Sequence, residues 1–230
     1  MQISIRHKYV MFDVPKSAST SINFALRHIS DCVLDGPGGI KHTSVADYER
    51  YLEPYLQNRS GVDVGSLNRL AVVREPLDML ASYYKYLRRP GVENAGHRDN
   101  FRHTCDISFD QFLEHVCNEG LRRRVVLRPS TFLLNADGKF GVDLLFSFAR
   151  LGDLAAYLSS ITGHEIKLPM KNVSAPDDVW CASQGLMNQV RSVFENDFIL
   201  YDAIMQRPAG EPLRVRDHEI TEIRQSELDS

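Results

Sequence analysis

The sequence predicts an α/β fold, a P-loop-like parallel sheet flanked by helices in a single domain. Short apolar runs alternate with amphipathic helical segments, and two of these runs lead through polar loops directly into helices. The chain has 230 residues, of which 43% are hydrophobic and 25% are charged, as is typical of a globular protein with a substantial core. The domain is predicted to span residues 1–206. Residues 207–230 are charged and aperiodic, and they are predicted to form a tail.

Apolar runs between turn residues predict buried strands at residues 9–13 and 70–73. Apolar residues at helical spacing predict helices, in chain order, at residues 22–29, 44–57, 76–87, 108–116, 153–161 and 190–205. Ser19, Thr20 or Ser21 is predicted to cap the first helix and Ser108 the fourth, while Pro54 is predicted to break the second. The segment Asn135-Ala136-Asp137-Gly138-Lys139 predicts a hairpin turn between apolar runs.

The first loop reads Pro15-Lys16-Ser17-Ala18-Ser19-Thr20-Ser21 and joins a predicted strand to a predicted helix. Backbone N–H groups and hydroxyls gather at the start of that helix, where the helix dipole also favours an anion. Lys16 adds a positive charge. The loop is not a Walker A sequence, which places its lysine after the glycines and directly before Ser or Thr. It predicts an anion-binding site, and a serine-rich helix cap with a surface lysine is the alternative.

The second loop begins at Arg74, at the end of the next predicted strand, and Ser82 follows two helical turns later. A guanidinium and a hydroxyl so placed can hold one phosphate from two sides. Taken alone, pairing of Arg74 with Glu75 or Asp78 is the simpler interpretation. Both loops follow strands at the carboxyl edge, where parallel α/β sheets bind their ligands.

As a pair, the loops resemble the 5′-phosphosulfate loop and the 3′-phosphate motif of sulfotransferases that use PAPS (3′-phosphoadenosine 5′-phosphosulfate). The first loop is most similar to carbohydrate sulfotransferases, including the uronyl 2-O-sulfotransferase group, and the resemblance covers about residues 8–205. It implies that these residues bind PAPS: Lys16, Ser17, Ala18, Ser19, Thr20, Ser21, Arg74, Ser82, Lys171 and Ser174. Many members of the family have Gly at the position of Ala18, whose methyl group disfavours positive φ.

The resemblance implies transfer of the sulfuryl group from PAPS to an acceptor hydroxyl, with adenosine 3′,5′-bisphosphate as product and no metal. Such a transfer needs a base for the hydroxyl proton and a cation at the leaving oxygen. Lys16 is the predicted cation. His42 is the predicted base, because it lies in a turn between the two loops and resembles the family's His-x-[Ser/Ala] stretch. A histidine is also largely neutral at pH 7. His97 and His103 are the reserve candidates.

The acceptor is predicted to be a small molecule or a glycan, namely a saccharide or glycoconjugate. Arginine runs at residues 88–102 and 122–124 would favour an anionic saccharide if they face the site, although charge runs usually form solvated faces. A nucleotide-dependent kinase of P-loop type is an alternative function, but it would require magnesium and a Walker pattern. A non-catalytic nucleotide-binding module on the same fold is another.

Composition excludes other classes of partner. The net charge of −3 provides no general attraction for nucleic acid, and no apolar run is long enough to span a membrane. Four scattered cysteines without CxxC spacing fit a reducing compartment, so a cytoplasmic location is expected. Cys105 and Cys117 lie near histidines, but their spacing matches no standard zinc site.

Overall fold

A computed structural model describes residues 1–89, 107–118, 128–169 and 183–215. Its strands are β1 Gln2–Ser4, β2 Tyr9–Phe12, β3 Cys32–Val33, β4 Asn68–Val73, β5 Leu144–Ser147 and β6 Leu213–Arg214. Its α-helices are α1 Ser19–Leu26, α2 Gly38–Lys41, α3 Val45–Asp47, α4 Glu53–Ser60, α5 Pro76–Leu87, α6 Phe109–Cys117, α7 Pro129–Phe132, α8 Leu151–Thr162, α9 Gln184–Val193 and α10 Glu195–Met205.

The strands form one mixed sheet in the order β3-β1-β2-β4-β5-β6. The central strands β2, β4 and β5 are parallel, and β1, β3 and β6 add antiparallel edges. The predicted single-domain α/β fold, with helices flanking the sheet, is therefore confirmed, while its parallel part is confined to the centre. Strand β1 was not predicted because it has only three residues, and two of them, Gln2 and Ser4, are polar although both are fully buried.

The central strands are apolar on both sides because both faces of the sheet are covered. Along β2, Tyr9 and Met11 pack on the face that carries α1 and α8, whereas Val10 and Phe12 pack on the opposite face. Alternate residues of a strand point to opposite faces, so one four-residue run contributes to two core layers. This burial holds β2 rigidly at the point where the first loop begins.

Most predicted helices are confirmed, and two of them differ in an informative way. The helix predicted at 44–57 starts after Ser44 and passes through a π-helical turn at Tyr48–Leu52, so Pro54 lies in the first turn of α4 and does not end it. A wide turn accommodates a proline whose N–H is missing. The segment predicted at 190–205 is divided at Phe194, because α9 packs on α6 whereas α10 packs on α7 and β5.

The capping prediction for the fourth helix is confirmed: Ser108 forms a capping box with Gln111 at the start of α6. The predicted turn at 135–139 is present, and a single antiparallel bridge between Leu134 and Phe140 closes it. The chain then continues into β5, which runs parallel to β4, so the turn does not join two hairpin strands.

The sheet extends past residue 206, where the domain was predicted to end. Leu213 and Val215 are buried, and β6 pairs with β5. Strand β6 has only two paired residues, too few to produce a recognisable sequence pattern. The sequence therefore predicts a tail from residue 207 onwards. None of the helices in the described ranges is long and apolar enough to cross a membrane.

A buried ion pair ties the start of α7 to α10. Arg128 Nε donates to Asp197 Oδ2 at 2.9 Å, and the backbone N–H of Ser130 donates to the other carboxylate oxygen at 2.7 Å. The side chains of Arg128 and Asp197 are only 9% and 1% exposed. Removing one member of such a pair leaves the other as a buried, uncompensated charge.

We expect Asp197→Ala to lower the free energy of unfolding by about 3 kcal/mol, because it removes the carboxylate that offsets the buried charge of Arg128. Urea titration followed by circular dichroism measures this change. Asp202→Ala is the matched control, since Asp202 lies on the same helix but is exposed. A loss of the same size in both variants would contradict the role assigned to the ion pair.

Candidate active site

Three parallel strands end at one edge of the sheet, and residues that follow them meet there. Arg74, directly after β4, donates from Nη1 to the backbone carbonyl oxygen of Lys16, in the loop after β2, at 3.2 Å. The Arg74 guanidinium carbon lies 4.2 Å from the centroid of the Phe148 ring, which follows β5. The predicted proximity of the two loops is therefore present in the fold.

The first loop turns through two left-handed residues, Lys16 (φ 63°) and Ala18 (φ 61°). Ala18 is the N-cap of α1, and no side chain caps the helix, so the predicted capping by Ser19, Thr20 or Ser21 is wrong. Those residues form the first helical turn itself. A left-handed alanine costs roughly 1–2 kcal/mol, and such turns direct successive N–H groups into a concave, anion-binding surface.

Ser17 contributes a buried hydroxyl to this loop. The residue is 1% exposed, and its hydroxyl oxygen is buried without a hydrogen-bond partner in the described part of the chain. An unsatisfied buried polar group costs about 1–3 kcal/mol. Hydroxyl and backbone N–H donors at the start of a helix are groups that can bind an oxygen-rich anion.

The side chain of Lys16 extends from this loop towards α5. Its Nζ lies 4.3 Å from the centroid of the Tyr86 ring and 5.7 Å from that of Tyr83. Burial, together with the positive charges of Arg89 and Arg74, lowers the pKa of Lys16 to about 8. The ammonium is therefore still mostly charged at pH 7, but it titrates close to neutrality.

Arg74 is held by contacts on both sides of its guanidinium. Its Nε donates to Asp78 Oδ2 at 3.0 Å. The pairing of Arg74 with Asp78, which is the simpler interpretation of the sequence, is therefore also present. Glu75 instead caps α5 by accepting the Asp78 N–H at 2.7 Å. Ser82 lies half-buried two turns further along α5. Because the Asp78 side chain is 57% exposed, its ion pair with Arg74 is weak and open to competition by an anionic ligand.

His42 lies against the end of β2, beside the loop. Its Nδ1 is 2.6 Å from the backbone oxygen of Asp13. A carbonyl oxygen can only accept, so Nδ1 carries the proton and Nε2 keeps its lone pair. Burial lowers the pKa of His42, although the hydrogen bond to Asp13 acts in the opposite direction. The ring is thus neutral at pH 7, in the tautomer that a general base requires.

Neighbouring contacts hold this segment in place. Lys41 Nζ donates to Thr20 Oγ1 at 3.4 Å, which links the residue before His42 to the first turn of α1. The Asp13 carboxylate is fully buried and accepts hydrogen bonds from Asn23 Nδ2 and from the Met1 amino nitrogen. Gln2 Nε2 donates to Asn23 Oδ1 at 2.6 Å.

Sequence reasoning did not identify Asp13 as part of the site. The available signal was an acidic residue at the end of an apolar strand, directly before an anion-binding loop. Phe148 was also missed, because its ring contacts Arg74 only once β5 is in register beside β4.

Several predicted site residues lie outside the described ranges. Lys171 and Ser174, the reserve bases His97 and His103, and Cys105 all belong to this group, so their roles stay predictions. Within the described ranges, no group of three or more His, Cys, Asp or Glu side chains is arranged to hold a metal ion.

A protein-family model described as the sulfotransferase family matches residues 1–202. The chain belongs to the sulfotransferase family. The matched range contains both loops, His42 and every strand except β6. No significant match was found among curated proteins or among solved structures. Membership supports sulfuryl transfer as the general activity of this sulfotransferase.

If the Ser17 hydroxyl forms a hydrogen bond only with a bound ligand, its removal should not destabilise the free protein. We expect Ser17→Ala to leave the free energy of unfolding unchanged or to raise it by up to about 1 kcal/mol, because a buried unsatisfied group is removed. Ser4→Ala is the matched control, since the buried Ser4 hydroxyl donates to the Ile29 carbonyl at 2.9 Å. That variant should lose about 1 kcal/mol. Equal losses in urea titrations of both variants would show that Ser17 Oγ is structural.

Proposed function

We propose that this sulfotransferase moves the sulfuryl group from PAPS to a hydroxyl of a saccharide or glycoconjugate. The observation that carries the proposal is the meeting of the Lys16 loop with Arg74 at the carboxyl ends of β2 and β4. Two separate cationic groups at one sheet edge suit a nucleotide with anionic groups on both its 5′ and 3′ sides.

In this proposal the first loop, from Lys16 to Ser21, holds the 5′-phosphosulfate, and Arg74 with Ser82 holds the 3′-phosphate. Lys171 and Ser174, which lie outside the described ranges, are assigned to PAPS binding by the resemblance alone. PAPS supplies the activated sulfuryl group when it is bound. The remaining chemistry belongs to the side chains of the protein, which hold anions, orient the acceptor and move one proton.

His42 and Lys16 divide the catalytic work. Nε2 of His42 accepts the proton of the acceptor hydroxyl, while the hydrogen bond from Nδ1 to the Asp13 carbonyl keeps the ring oriented. The Lys16 ammonium offsets the negative charge that develops on the leaving oxygen. No step requires a metal.

The surroundings of α5 support an anionic acceptor. Arg88 and Arg89 are exposed at the end of this helix, and the positive charge of Arg89 is close enough to Lys16 to lower its pKa. The resemblance of the first loop to uronyl 2-O-sulfotransferases points to the same class of acidic saccharides.

We propose that the reaction takes place in the cytoplasm.

Ligand binding separates this function from its rivals. We expect adenosine 3′,5′-bisphosphate to raise the melting temperature, since a ligand that binds only the folded state stabilises it. Arg74→Ala should abolish the shift. A larger shift with ATP and magnesium would favour a kinase, and binding without sulfate transfer to a panel of saccharides would favour a non-catalytic module.

Turnover tests the two catalytic assignments. We expect Lys16→Ala to abolish transfer of labelled sulfate, and His42→Ala to reduce kcat by about 100-fold or more while the affinity for adenosine 3′,5′-bisphosphate stays nearly unchanged. Normal turnover in His42→Ala would refute the assignment of the base.

The pH dependence follows from the two lowered pKa values. His42 must be neutral, so the rate should fall as pH drops below its lowered pKa, which lies under about 6.5. Lys16 must be charged, so the rate should fall again as pH rises through its pKa of about 8. Lys16→Arg keeps its charge at all these pH values and should lose the alkaline limb of the profile. An alkaline limb that persists in Lys16→Arg would assign it to another group.

A further inference from the structure

Lys16 is restrained at both of its ends. Arg74 holds its backbone carbonyl, and the Tyr86 ring lies under its ammonium at 4.3 Å from the centroid. The backbone of Lys16 is in the left-handed region, with φ 63°. A non-glycine residue stays in that conformation where its surroundings over-determine it, and such residues cluster at functional sites.

Core packing does not account for the position of Tyr86. Tyr83 and Tyr84 belong to the apolar cluster between α5 and α6, so core packing accounts for their positions. Tyr86 is half-buried and is not part of the apolar clusters that the structure describes. It lies one helical turn beyond Ser82, where its ring borders the loop that carries Lys16.

The charges around Lys16 make the ring important. Arg74 and Arg89 repel the ammonium, and the Asp78 carboxylate accepts a hydrogen bond from Arg74 Nε. Among the described residues, Lys16 forms no ion pair. The titratable groups on α5 that face it are the phenols of Tyr83 and Tyr86. The negative face of an aromatic ring attracts a desolvated ammonium, and this attraction favours the charged form.

We propose that Tyr86 is a positioning residue for Lys16: its ring face holds the ammonium beside the phosphosulfate loop and keeps it charged in a half-buried position. The inference rests on the proposed function, in which Lys16 stabilises the leaving oxygen. It adds that the reach and the charge of Lys16 are set by α5, the helix that also carries Ser82.

The direct test measures Lys16 in the free protein, without substrate. Pulse acylation with acetic anhydride across a pH series, read by mass spectrometry of the Lys16 peptide, gives the pKa of its amine. Replacing Tyr86 with Leu keeps an apolar side chain but removes the ring face, so we expect the pKa of Lys16 to fall by roughly half to one pH unit. Tyr86→Phe keeps the ring face and should retain the wild-type value. Tyr51→Leu, on the π-helical turn, is the matched control for loss of an exposed tyrosine.

The second measurement is turnover. Tyr86→Leu should lower kcat by about 10-fold and move the alkaline limb of the rate profile to lower pH, with the KM for PAPS changed by less than about threefold. Tyr86→Phe should restore both. If Tyr86→Leu does not fold, Tyr86→Met provides a flexible apolar replacement for the same comparison.

The outcomes separate the two claims. An unchanged pKa of Lys16 in Tyr86→Leu overturns the proposal, whatever the activity. A lowered pKa with unchanged kcat and pH profile also overturns it, because the ring would then hold a lysine that the reaction does not use. Failure of the wild-type protein to bind adenosine 3′,5′-bisphosphate would instead refute the proposed function, while the acylation result would still decide whether the ring holds Lys16.

Discussion

Parallel pairing of β2 with β4 brings the loops that carry Lys16 and Arg74 to one edge of the sheet, and the rest of the candidate site is arranged around this pairing. The register from Tyr9↔Asn68 to Phe12↔Ala71 places the two strand ends side by side. The hydrogen bond from Arg74 to the Lys16 carbonyl then joins the loops themselves. Burial of β2 on both faces makes this edge rigid, so a loop containing two left-handed residues is held in one conformation.

Burial acts on both proposed catalytic groups in the same direction but with different consequences. It lowers the pKa of His42, which leaves the imidazole neutral as a base must be. It also lowers the pKa of Lys16 to about 8, which brings a group that must stay charged close to losing its proton. The site therefore needs an element that favours the ammonium without neutralising it, and the Tyr86 ring is placed to supply this. With a net charge of −3 over the chain, positive potential has to be local, and Lys16, Arg74 and Arg89 supply it.

Local sequence signals were sufficient where a segment's structure depends on its own residues. Helix α5 was predicted with the bounds that it has, because Pro76 fits a first helical turn and the apolar spacing continues to Leu87. Strands β2 and β4 were recognisable as apolar runs, since strands covered on both faces need such runs. The edge strands β1, β3 and β6 were not recognised, because each has only two or three residues, too few to show a periodicity.

The sequence by itself determined the α/β class and the two loops that face the ligand edge, because apolar periodicity, a proline and a run of hydroxyls are local properties. Only the tertiary structure decided how the side chains act there. The hydrogen bond between His42 and Asp13 joins residues 29 positions apart, and the contact of Arg74 with Phe148 requires β5 to lie beside β4. The tautomer of His42 and the protonation and position of the Lys16 amine depend on burial and on neighbours that are distant in sequence. These surroundings exist only once the sheet has assembled.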